Sequence, residues 1–71
     1  MTFYQIIKAG KKLTVDTKGT GYTPTTFFYK DGKIWLKNRE LGTFPHPTFN
    51  GQTFNRHIAE MLKEGLNIIT E

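Results

Sequence analysis

From Thr25 to Lys37 the chain reads TTFFYKDGKIWLK, two runs of β-branched and aromatic residues separated by Asp31-Gly32. An Asp-Gly pair tolerates the positive φ angles of a two-residue hairpin turn, so this stretch predicts two antiparallel strands in a fixed register. Lys30 then lies opposite Lys33, Tyr29 opposite Ile34, Phe28 opposite Trp35, Phe27 opposite Leu36 and Thr26 opposite Lys37. Opposed residues point to the same side of a sheet. One face therefore carries Phe27, Tyr29, Ile34 and Leu36, and the other carries Phe28 and Trp35 with Lys30, Lys33 and Lys37 around them. The first pattern requires a core. The second suits a nucleic-acid or protein partner.

On the N-terminal side, Phe3 to Asp16 is broken by Ala9-Gly10. With a tight turn there, Tyr4, Ile6, Leu13 and Val15 share one face of a further hairpin, and Phe3, Gln5, Ile7, Lys12 and Thr14 share the other. Alanine disfavours positive φ, so a longer loop with a bulge at Gly10 is an equal alternative. The connection DTKGTGYTPT reads as a loop, broken by Gly19, Gly21 and Pro24.

On the C-terminal side, Asn38 to Gln52 contains Gly42, Pro45, Pro47 and Gly51 and reads as irregular, with at most a short extended piece near Leu41 to Phe44. Phe54, Ile58, Met61 and Leu62 then recur at helical spacing as one apolar stripe. Thr53 or Asn50 can cap the start of this helix, Gly65 can take the left-handed position that ends it, and Leu66 would return to Met61. Asn67 to Thr70 has room for a short strand.

The expected fold is α+β: a small antiparallel sheet of two β-hairpins, four strands with a possible short fifth, packed on one face by a single C-terminal helix. Residues 1–71 form one small domain, with Tyr4, Ile6, Leu13, Val15, Phe27, Tyr29, Ile34, Leu36, Phe54, Ile58, Met61 and Leu62 in its core. The ten aromatic residues compensate for the short chain, since each buries a large area.

The formal charge is +4, unevenly spread. Residues 1–40 hold eight Lys/Arg against Asp16, Asp31 and Glu40, and residues 41–71 hold Arg56 and Lys63 against Glu60, Glu64 and Glu71. The positive field thus belongs to the sheet, which favours anionic partners there. With no cysteine, neither a disulfide nor a thiolate metal site is expected. No stretch approaches the roughly 20 apolar residues of a membrane span, and MTFYQIIKAGKK has no cleavage pattern, so a cytoplasmic protein with no membrane partner is expected.

Sites for chemistry are few. His46, within Phe44-Pro45-His46-Pro47, and His57, expected on the polar helix face beside Glu60 or Glu64, lack any metal-ligand spacing, so no metal or cofactor is expected. Lys18-Gly19-Thr20-Gly21 lacks the GK[ST] ending of a phosphate loop. The chain contains no serine or cysteine, and no carboxylate pair is forced together, so no enzyme is expected.

The functional expectation is a small basic nucleic-acid-binding module using an aromatic and lysine-rich sheet face. Bases would stack on Phe28 and Trp35, while Lys30, Lys33, Lys37, Arg39, Lys11 and Lys12 meet phosphates, on single strand or duplex alike. The alternative is a protein-interaction module, an inhibitor or adaptor of the phage or mobile-element type, anchored by Phe28, Trp35 and the Pro-His-Pro segment.

Overall fold

The computed structural model describes residues 2–16 and 23–70. In chain order its elements are α1 (Phe3–Lys8), β1 (Leu13–Asp16), β2 (Thr25–Lys30), β3 (Lys33–Asn38), β4 (Gly42–Pro45), α2 (Gly51–Lys63) and β5 (Asn67–Thr70). The strands form one antiparallel sheet in the order β4-β3-β2-β1-β5, giving an α+β fold.

The central hairpin forms in the predicted register, from Lys30 opposite Lys33 through Phe28 opposite Trp35 to Thr26 opposite Lys37. Its turn has φ of 52° at Asp31 and 76° at Gly32, the left-handed pair that matches the twist of the flanking strands.

The N-terminal hairpin does not form. Phe3 to Lys8 is a helix, held at its start by a capping box. The Gln5 N–H donates to Thr2 Oγ1 at 3.2 Å, and the Thr2 N–H donates to Gln5 Oε1 at 2.9 Å. Ala9-Gly10 ends this helix instead of turning a hairpin. Gly10 has φ of 100°, its N–H donates to the Ile7 carbonyl, and the Lys11 N–H reaches back to the Ile6 carbonyl. Ile7, which a strand would have turned outward, becomes almost fully buried, whereas Tyr4 and Ile6 pack at the margin of the core. β1 pairs with β2 and β5 instead. The sheet thus has five strands and a second, short helix.

α2 begins at Gly51 under an Asn50–Thr53 capping box. It ends as the sequence predicts, with the Gly65 N–H on the Leu62 carbonyl and the Leu66 N–H on the Met61 carbonyl. The irregular reading of 38–52 yields to β4, whose ladder with β3 runs from Asn38 opposite Gly42 to Trp35 opposite Pro45. The loop assigned between β1 and β2, with its Lys18-Gly19-Thr20-Gly21, lies largely outside the described residues.

Both helices pack on one side of the sheet. Leu13, Val15, Phe27, Ile34 and Leu36 from the strands meet Ile7 from α1 and Phe54 and Ile58 from α2, all buried. Phe27 and Phe54 stand edge to face with centroids 5.4 Å apart. Leu62, expected in this core, is 43% exposed. The helix is rotated so that Phe54, His57, Ile58 and Met61 face inward, at i, i+3, i+4 and i+7. α1 and α2 are also joined directly, since the Tyr4 N–H donates to Asn55 Oδ1 at 2.8 Å. The Tyr4 ring lies so close to Gly51 that a Cβ there would sit 2.9 Å from Cδ2. Among the described residues no helix is long and apolar enough to cross a membrane.

Candidate functional site

Neither helix lies on the other face of the sheet. At its centre the partly buried rings of Phe28 and Trp35 are near parallel, 21° apart in plane and 6.1 Å between centroids. The hairpin register makes this pair by placing the two residues opposite each other. Pro45 on β4 flanks Trp35 from the other side. The indole is held in place, because its Nε1–H donates to the Lys30 carbonyl at 3.0 Å. The Lys30 ammonium lies 5.5 Å from the centre of the same ring, where its charge meets the negative face of the indole.

Beside the aromatic pair runs a row of Thr14, Thr26, Lys37 and Thr43 across four strands, with Ile69 beyond Thr14. Thr14 and Thr26 share a hydroxyl hydrogen bond of 3.0 Å. A shallow cleft of about 470 Å³ opens here, lined by Lys12, Lys37 and Arg39 together with Thr26 and Thr43. The cleft has no carboxylate in its lining. Three cations and two hydroxyls in one concavity form a place for an anion, since like charges gathered in this way gain most beside a counter-charge.

The structure thus groups the sequence-predicted residues in two sets. Phe28, Trp35 and Lys30 are one, Lys12, Lys37 and Arg39 the other, and both belong to the open face. Lys33 is exposed at the hairpin tip opposite Lys30. Lys11 is exposed at the end of α1, outside the cleft. Asn38, which the sequence reading passed over, is buried and positions Arg39. Its Nδ2–H donates to Thr25 Oγ1 at 2.9 Å, and its Oδ1 accepts the N–H groups of Glu40 and Leu41, folding the turn from β3 to β4. An asparagine at the end of a β-rich run was the available signal.

A second concavity, of about 680 Å³, lies on the helix-covered side between the sheet, the 46–50 loop and α2. His46 and His57 both line it. His57 is not the surface residue the sequence suggested, since its ring lies 5.2 Å from Phe49 and 6.3 Å from Phe27. Its place three residues after Phe54 and four before Met61 put it on the inner stripe. The His46 ring stacks on Phe49 at 3.7 Å, and its Nδ1 accepts the N–H groups of Thr48 and Phe49. Burial, and then the neighbouring His57, holds the His46 imidazole below the ordinary histidine range. Among the described residues, no group of three or more His, Asp or Glu is placed to hold a metal ion.

No protein-family model matches this chain, no curated protein is significantly similar to it in sequence, and no solved structure matches it at a significant level.

Proposed function

We propose that this protein binds nucleic acid on the open face of its sheet. Bases stack against Phe28 and Trp35, and the phosphate backbone runs past Lys12, Lys37 and Arg39. The observation that carries this reading is the adjacency, on one uncovered face, of a near-parallel aromatic pair and a cationic cleft without a carboxylate. Stacking on an aromatic side chain contributes about 1–3 kcal/mol per base, and each phosphate met by a cation releases condensed counterions. Lys30 swings off the indole when a base arrives, at little cost for an exposed side chain.

Trp35 is the sole indole, so its emission reports on the site directly. Titration with single-stranded oligonucleotide at low salt quenches it, and affinity falls steeply as salt is added; duplex run in parallel identifies the preferred form. Trp35→Ala weakens binding while leaving the salt dependence unchanged, whereas Lys37→Ala lowers the slope of log affinity against log salt by about 1. No quench and no retention of either form at about 50 mM salt, where even non-specific basic binders hold on, overturns the reading. A second reading, docking on a protein partner, is favoured by Leu41 and Ile69, which are 68% and 48% exposed. Binding that resists salt separates it from the first.

A further inference from the structure

The concavity on the helix-covered side has a chemistry unlike that of the open face. Its volume of about 680 Å³ falls within the span typical of small-molecule sites. Four rings stand at its wall: Phe27, Phe49, His46 and His57, with centroid separations of 6.2 Å for Phe27–Phe49 and 5.2 Å for Phe49–His57. Met61 and Leu66 add flexible apolar surface. Gathered rings favour a further ring, which can meet them edge to face.

The polar groups restrict the occupant further. Because His46 Nδ1 accepts two backbone N–H groups, the hydrogen-bond network assigns the ring proton of the neutral form to Nε2. Among the described residues, no acceptor meets that N–H, and none bonds the ring of His57. Neither imidazole has a nitrogen sealed from solvent without a partner. Glu40 stands in the same lining. A carboxylate ligand would meet Glu40 and an ammonium ligand would meet two imidazoles, so a neutral molecule fits better than either ion.

We infer that this cavity binds an uncharged aromatic or heteroaromatic small molecule, its ring among Phe27, Phe49 and His57 and a hydrogen-bond acceptor on the His46 imidazole N–H. The site is separate from the open face and stands or falls independently of nucleic-acid binding.

Benzamide, benzoate and benzylammonium carry one ring with three charges, and each is titrated at pH 7.5 while side-chain resonances are followed by NMR. Benzamide shifts the Phe49, His57, Met61 and Leu66 resonances saturably, with a dissociation constant on the order of 1–10 mM, as expected of a fragment of this size. Benzoate and benzylammonium bind at least about fivefold more weakly, the factor that one unfavourable charge contact imposes. Met61→Trp fills the cavity and removes the benzamide response while the spectrum stays folded; if that variant does not fold, Leu66→Phe narrows the same space. Equal, unsaturable shifts from all three probes overturn the inference. So does a response confined to Phe28 and Trp35, or tighter binding of either ion than of benzamide.

Discussion

The two faces of this sheet are built from alternate residues of the same strands, yet they are used in opposite ways. On the helix-covered face Leu13, Val15, Phe27 and Ile34 lose nearly all contact with water. On the open face Phe28 and Trp35 stay only partly covered, among threonines and lysines. A chain of 71 residues supplies two helices, of six and thirteen residues, and both lie on the first face. The difference separates stability from recognition. Substitutions on the covered face are felt as unfolding, whereas the open face can be rewritten for a ligand at small cost to the fold.

The strongest way to break this comparison is within α2. Phe54→Ala removes a fully buried ring that touches Phe27 and Phe49, and costs about 3–5 kcal/mol in denaturant unfolding. Leu62→Ala, one turn or two further along the same helix, costs less than about 1 kcal/mol because its side chain is already 43% exposed. Equal losses would mean that the helix presents a different stripe to the sheet.

Across the sheet, Trp35→Ala costs about 1–2 kcal/mol, the scale of a cross-strand aromatic pair with partial burial. Thermal or urea unfolding measures it. A loss as large as that of Phe54→Ala would make Trp35 part of a core and erase the distinction between the faces.

These two faces were legible to different degrees. The Asp31-Gly32 turn is a local signal with a single geometric outcome, so the register, the face assignment and the Phe28/Trp35 pair could all be read from residues 25–37. Ala9-Gly10 was ambiguous, because a glycine with positive φ serves a hairpin turn and a helix C-terminus equally well. What distinguished them was upstream: Thr2-Phe3-Tyr4-Gln5 matches a capping box, and Phe3 and Ile7 are spaced four apart. A six-residue helix gives too little periodicity to outweigh an alternating pattern by itself. The His46/His57 concavity was illegible for another reason. It brings together a loop and a helix face with strand residues far away in sequence, and no spacing rule spans that distance.

Acid sharpens the comparison from the covered side. The folded-state affinity of His46 for a proton lies below that of an unfolded histidine, because burial, and then His57, disfavours the imidazolium. The unfolded chain therefore binds more protons as pH falls, so the His46 contribution is fully present above about pH 6.5 and is lost as pH drops from there through the folded value. The stacked loop that leads into α2 weakens with it, since a doubly protonated ring can no longer accept the Thr48 and Phe49 N–H groups at Nδ1. Urea midpoints across pH 7.5 to 5 show the decline, and His46→Gln flattens it. A decline unchanged in His46→Gln would assign the proton uptake elsewhere.

The smallest expected effect on stability lies at the hairpin tip, where stability and binding respond with opposite signs. Lys30 and Lys33 are opposed directly across β2 and β3, and like charges at such positions repel. Lys33→Glu turns the pair into an attractive one and leaves the Asp31-Gly32 turn intact, so unfolding shows a gain of about 0.2–1 kcal/mol. The same change places a negative charge beside Trp35 and its Lys30 partner, so nucleic-acid affinity at low salt falls and its salt dependence becomes shallower. A residue that only solubilises a strand end would show the first effect without the second. Loss of both stability and affinity would mean that Lys33 supports the hairpin, and that the weakened binding followed from a damaged fold.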